Sequence, residues 1–180
     1  MTRTHKKIGF ILQYPFHVYV FKNIVAEFQK QGRSVEFIID PTGYYPVKPT
    51  DDTLVKIRDL LEENKLPYRE FFFEDFLSKS KTSTFLSEYE ALVSTWYRGL
   101  IADVNEIKKI FVTYGAGKEL TTFGFWKKEF DLCLSYGDYD HAFFKQLTQS
   151  VIVGNPKFDD WFLGKFDEKL LIRLRSWVDT

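Results

Sequence analysis

The sequence predicts a doubly wound α/β domain, with a mainly parallel sheet of about seven strands and helices on both faces. Apolar runs of strand length alternate along the chain with segments whose apolar residues recur at helical spacing. The strand-length runs are almost continuously apolar, the pattern of strands covered on both faces. No repeat, low-complexity tract or linker interrupts this order, so the 180 residues read as one domain.

Lys7–Gln13 (KIGFILQ) is the first strand. Tyr14-Pro15-Phe16 breaks it, and a helix follows with Val18, Phe21, Val25 and Phe28 on one face. That helix closes at Gly32, a residue suited to the left-handed end of a helix. Ser34–Ile39 is the second strand, stopped by Asp40-Pro41-Thr42-Gly43. Thr50, Asp51 and Asp52 offer acceptors to the free N–H groups of a helix that buries Leu54, Ile57 and Leu61. Tyr68–Phe73 is the third strand, and Phe76–Ser87 reads as short helix and loop. Ala91–Thr95 is the fourth strand; Leu100, Val104 and Ile107 mark a helix. Lys109–Thr113 and Phe130–Ser135 are the fifth and sixth strands. Asp138 is expected to cap a helix carrying Phe143, Phe144 and Leu147, and Ser150–Val153 is the seventh strand. A short helix Asp160–Leu163 and a last helix, capped by Asp167 and striped by Leu170, Leu174 and Trp177, complete the chain.

Composition excludes several classes. Hydrophobic residues make up 44% and charged residues 28%, values of a globular protein and not of a disordered one. With 19 Phe and 10 Tyr, the core is expected to be filled by Phe where most proteins use Leu. Lys+Arg and Asp+Glu balance at 25 each, so no basic surplus points to nucleic acid or to a polybasic membrane patch. The single Cys133 lies in the apolar run Phe130–Leu134; it reads as a buried thiol in a reducing cytoplasm. The first apolar segment, Ile8–Leu12, is too short for a signal-peptide core or a membrane span. Three scattered histidines and one cysteine predict no zinc site, and no cofactor is expected. His5 in the tail and His141 inside a helix read as structural or incidental.

In an open parallel sheet, ligands lie outside the carboxyl ends of the strands, near the reversal in strand order. The segments there are Gln13–His17, Asp40–Gly43, Trp96–Gly99, Tyr114–Glu119, Tyr136–Asp138 and Gly154–Pro156. Several combine Gly, which lets backbone N–H groups approach a ligand, with side chains that bind anions or hydroxyls. His17, at the mouth of the first helix, is either a base or phosphate ligand or a solvent-facing cap. Tyr114-Gly-Ala-Gly-Lys118 lacks the spacing of a nucleotide-triphosphate P-loop. No G-x-G-x-x-G follows the first strand, and G-x-S-x-G is absent.

The stretch Phe130-Asp131-Leu-Cys-Leu-Ser-Tyr-Gly137, followed by Val151-Ile-Val-Gly-Asn-Pro-Lys-Phe-Asp159, resembles the end of a particular Rossmann-like domain. That domain is the N-terminal lobe of CDP-glycerol glycerophosphotransferases, polymerases of the teichoic-acid and capsule type. UDP-N-acetylglucosamine 2-epimerases and other GT-B proteins share the layout more loosely. The resemblance covers the whole chain in layout and residues 114–159 in motif.

The resemblance implies the acceptor-side lobe of a two-lobed GT-B transferase. The nucleotide-activated donor would be held by a C-terminal lobe outside this chain, and a polyol or sugar phosphate would be the acceptor. It implies substrate contacts from Tyr114, Gly115, Gly117, Lys118, Tyr136, Gly137, Gly154, Asn155 and Asp159. The family commonly has His-Gly where this chain has Tyr114-Gly115, and a tyrosine with a pKa near 10 is a poor base at neutral pH. Either His17 or Asp138 then serves as the catalytic base, or the base comes from elsewhere, or a different group is transferred. Asp159 has a second reading as the cap of the short helix after it. The isolated domain is expected to be inactive, cytoplasmic, and in peripheral contact with the inner face of the plasma membrane as such enzymes are. A stand-alone module binding a sugar phosphate or a partner protein, and a nucleotide-sugar epimerase lobe, are the alternatives.

Overall fold

A computed structural model describes residues 6–41, 49–72, 84–95, 106–113 and 124–165. Its strands are β1 (Lys7–Leu12), β2 (Val35–Ile39), β3 (Tyr68–Glu70), β4 (Tyr89–Ser94), β5 (Lys108–Val112), β6 (Leu132–Ser135) and β7 (Gln149–Ile152). They form one sheet in the order β3-β2-β1-β4-β5-β6-β7, and every pairing is parallel. The seven expected strands are present. The largest shift is in β3, which ends at Glu70 where Phe73 was expected. Phe71 leaves the ladder there and stacks on Phe85, with ring centroids 3.8 Å apart.

The helices are α1 (Pro15–Lys30), α2 (Asp51–Glu63), α3 (Asp138–Phe144) and α4 (Asp159–Phe162). Helix α1 closes at Gly32, whose φ of 72° is left-handed as expected. Thr50 opens α2, its hydroxyl accepting the Thr53 N–H at 3.2 Å. Residues 76–83 of the stretch expected as short helix and loop over Phe76–Ser87, residues 100–105 of the helix expected from Leu100 to Ile107, and the last expected helix, 167–177, lie outside the described residues.

Alternation along each strand divides the core between two faces. On the first, Phe10, Leu12, Phe37, Ile39, Val93 and Val112 pack under α1 and α2 through Val18, Phe21, Val25, Leu54, Ile57 and Leu61. On the second, Ile11, Ile38 and Leu92 meet Phe85, Leu86, Tyr89 and Ile107, while Phe111 and Cys133 meet Phe130 and Phe144 of α3. The phenylalanine core is real: the Phe10 ring lies 5.3 Å from Phe21 and 5.9 Å from Phe37 between centroids. At Gly9 a Cβ would come within 2.6 Å of Ile38 Cδ1 and 2.9 Å of Leu92 Cδ2, so those side-chain ends would have to shift to make room for it.

At the amino ends of the strands a charged cluster is paired internally. Glu36 accepts from the Tyr89 hydroxyl, from Arg69 Nε at 2.8 Å and from Lys7 Nζ at 3.3 Å. Arg69 also holds Glu88 at 2.9 Å. After β7 the chain turns at Gly154, whose φ is 76°, and crosses to α1. There Lys22 and Asn23 hold the Asp160 carboxylate, which they keep below the usual range despite its partial burial.

A 3₁₀ turn, Phe125–Glu129, carries the fully buried Lys127. Its ammonium stands 3.4 Å from the Trp126 ring centroid and 3.9 Å from that of Phe111. Burial pushes Lys127 down to about 7 and the neighbouring Cys133 thiol, buried as expected, up to about 12. Below about pH 7 Lys127 is charged in folded and unfolded chains alike and carries its full burial cost. Between about pH 7 and 10.5 the unfolded chain binds the proton and the folded one does not, so folding gains stability as pH rises. Lys127→Met should therefore stabilise the fold by a few kcal/mol, at ~1.4 kcal/mol per pKa unit, near pH 6.5. That gain should shrink toward pH 10, as read from urea midpoints. A gain independent of pH would contradict this reading of Lys127.

Candidate functional site at the carboxyl rim

The strand order reverses between β1 and β4, the place where an open parallel sheet holds its ligands. Around this point the carboxyl ends of five strands carry buried polar residues: Gln13 after β1, Asp40 after β2, Ser94 and Thr95 at β4, Thr113 after β5 and Ser135 ending β6. Each closes an apolar run, where burial of an unpaired polar group is costly unless something meets it.

His17 lies at the centre of this arrangement. It is 2% exposed, so the reading as a solvent-facing cap fails. Proline at the first turn of α1 and the aromatic rings of Tyr14, Phe16 and Phe21 fold the imidazole inward, with Phe16 at 4.4 Å between centroids. Nδ1 accepts the Gln13 backbone N–H at 3.2 Å, and Nε2 lies 3.0 Å from Thr95 Oγ1. Because Nδ1 accepts, the ring proton sits on Nε2 and donates to Thr95. The ring thus ties the end of β1 to the end of β4.

Tyr136, Gly137 and Asp138 follow β6, and Gly154 and Asn155 follow β7, with Val153 N–H bonded to Ser135 O at 2.9 Å. These five residues therefore share one stretch of the rim. Asp138 is exposed and is not the cap expected of it. Gly137 is the N-cap, and the buried Asp140 carboxylate reaches back to the N–H groups of Tyr136 at 2.8 Å and Gly137 at 3.2 Å. His17 and Asp138 stand three strands apart, roughly 14 Å, on helices packed against opposite faces. They cannot act on one proton together.

His141 is half-buried and belongs to a hydrogen-bond chain. Ser135 donates to Val151 O at 3.1 Å, so it must accept from Ser150, 3.0 Å away. Ser150 then accepts from His141 Nδ1 at 3.0 Å, which fixes that proton and fits the structural reading of this histidine.

Asp159 is elsewhere. A 3₁₀ turn, Pro156–Phe158, carries the chain onto α1, and Asp159 opens α4 beside Asn23, Ile24 and Phe28 in an open groove of about 510 Å³. Its carboxyl is pushed up, first by burial and then by Asp160. Asn23 lies six residues below His17 on α1, roughly 9 Å along the axis, so Asp159 does not join the rim. Tyr114, Gly115, Gly117 and Lys118 lie outside the described residues. Sequence reasoning left Thr95, Thr113 and Ser135 without a role; the signal for them was their place as the polar last residue of an apolar run. Among the described residues no cluster of three or more His, Cys, Asp or Glu could hold a metal ion, and no helix is long and apolar enough to cross a membrane.

His17→Leu keeps the apolar contacts and strands both the Gln13 N–H and the Thr95 hydroxyl. It should cost about 2–4 kcal/mol in urea unfolding, from roughly 1–2 kcal/mol per orphaned group. A change under about 0.5 kcal/mol would show that the bridge contributes nothing.

No protein-family model matches the sequence, and no curated protein matches it. Among solved structures, the chain is similar to Anabaena Alr3699/HepE in complex with UDP and glucose, with a TM-score of 0.54 and 12% identity. The match covers 84% of this chain and 44% of that one, so this chain spans less than half of its length. At that identity the likeness is one of fold. The chain is a Rossmann-like α/β domain whose sheet has a counterpart in part of a longer protein crystallised with UDP and glucose.

Proposed function

We propose that this chain is the acceptor-side lobe of a two-lobed GT-B transferase. The enzyme would move a glycosyl or glycerophosphate group from a nucleotide-activated donor to a polyol or sugar-phosphate acceptor. The observation that carries this reading is the cluster of buried polar side chains at the β1/β4 reversal, where a parallel sheet places its ligands. The fold shared with a protein solved with UDP and glucose supports it, as does the motif resemblance of residues 130–159. The nucleotide belongs to a second lobe facing this rim. Cell-surface polymer is the product class the resemblance implies, made at the inner face of the plasma membrane.

Within the rim, Tyr136, Gly137, Gly154 and Asn155 line the acceptor side. Tyr114, Gly115, Gly117 and Lys118 join them on the strength of the resemblance, with Lys118 on a phosphate. To accept a proton, His17 must release the Gln13 N–H from Nδ1, whereas the exposed Asp138 carboxylate has no such bond to break. Asp138 is therefore the preferred base and His17 the residue that positions the β1 and β4 ends. Asp159 has no part in this site.

Calorimetric titration of the 180-residue chain with CMP and UDP tests the division of labour. Neither should bind with micromolar affinity, while the full-length natural protein transfers label from UDP-glucose or CDP-glycerol to a polyol acceptor. Micromolar binding of either nucleotide to this chain would put the nucleotide site here and favour a stand-alone binding module.

A further inference from the structure

The groove between α1 and α4 has fixed walls and open apolar surface. Lys22 and Asn23 hold the Asp160 carboxylate, which fastens α4 to α1. Ile24 and Phe28 of α1, with Phe162 and Leu163 at the end of α4, make the walls mainly apolar. Phe162 is 83% exposed and Leu163 59%, so two large side chains face solvent side by side. Contiguous apolar surface with a polar rim marks a place where something docks.

The rim gives the charge of the occupant. The Glu27 carboxylate already meets Gln31 Nε2 at 3.2 Å and Lys30 Nζ at 3.3 Å. The Asp159 carboxyl is pushed up by burial and by Asp160, and no cation among the described residues offsets them. An acid held beside apolar walls is stabilised by a cation that brings apolar surface with it.

The path of the chain supplies such an occupant. Helix α4 ends at Gly164, whose φ is 68°. Leu163 N–H donates to Asp159 O at 2.8 Å and Lys165 N–H to Asp160 O at 2.7 Å. This left-handed cap stops the helix and turns the chain beside Leu163. Residues 167–177, outside the described residues, come next. Their sequence carries Leu170, Leu174 and Trp177 at helical spacing, with Lys169 and Arg173 four residues apart along one flank of that stripe. A helix over that span is roughly 16 Å long, and the groove follows α1 from Asn23 to Gln31, roughly 12 Å. So short a tether holds the segment at roughly millimolar effective concentration, which favours it over a second copy of the chain.

We propose that residues 167–177 dock in the α1–α4 groove as an amphipathic helix, with Leu170, Leu174 and Trp177 on its apolar walls and Arg173 on Asp159. The proposal is independent of the transferase reading. It gives Asp159, which lies away from the rim, the part of an anchor for the segment that follows it.

Leu174→Asp in the 180-residue chain tests the docking by NMR. Resonances of Ile24, Phe28 and Leu163 should shift, those of the sheet should stay in place, and binding of the apolar dye ANS should rise severalfold. Groove resonances unchanged in Leu174→Asp would overturn the proposal. So would groove resonances of the wild type that move with protein concentration, because a second copy would then fill the groove. The charge pair has its own test in thermal melts. Asp159→Lys should lower the melting temperature by several degrees, and adding Arg173→Glu should restore most of the loss. Losses that merely add would overturn the pairing of Arg173 with Asp159.

Discussion

The parallel pairing of β1 with β2 on one edge and β4 on the other is the constraint from which the rest follows. It makes β1 the strand from which the order runs outward in both directions. At Gly9 side-chain ends from β2 and β4 crowd the place where a Cβ would stand. The ends of the two strands are also tied together. His17 does this from α1, with one ring nitrogen on the β1 end and the other on Thr95.

The two ends of the sheet solve the problem of buried polarity differently. At the amino end, Glu36 is almost fully buried but is met by Lys7, Arg69 and Tyr89, and Arg69 lies over the Phe85 ring as well. A carboxylate so surrounded has its lone pairs occupied and nothing left to offer a ligand. The carboxyl end is instead built from hydroxyls, an amide, an imidazole and the Asp40 carboxylate, and the Thr113 hydroxyl is left open.

The strands were legible because KIGFIL, VEFII and ALVS are buried on both faces and so are nearly continuous apolar runs, Glu36 being the charged exception. The rim was legible as a place, since the polar residue ending each run marks it. What each residue does there was less so. His17 reads from the sequence either as a base or phosphate ligand or as a solvent-facing cap, and the rings of Tyr14 and Phe16 pack against it in the interior. Asp138 and Asp140 are both acidic and two residues apart; only the shape of the turn selects Asp140 to reach back to Gly137. Lys127 has no signal in the sequence, because its burial depends on Trp126 and Phe111 converging from separate elements. Asp159 sits in a motif that suggests the rim, but the three-residue turn before it sends the chain to α1.

The central claim is that small hydroxylated ligands meet this molecule at the carboxyl rim. Amide chemical-shift mapping of the labelled chain during titration with glucose tests it most directly. The shifts should concentrate at Gln13, Asp40, Thr95, Thr113 and the Ser135–Gly137 segment, on neighbouring strand ends. Shifts centred on the α1–α4 groove at Asn23, Ile24, Phe28 and Leu163, with the rim silent, would contradict it.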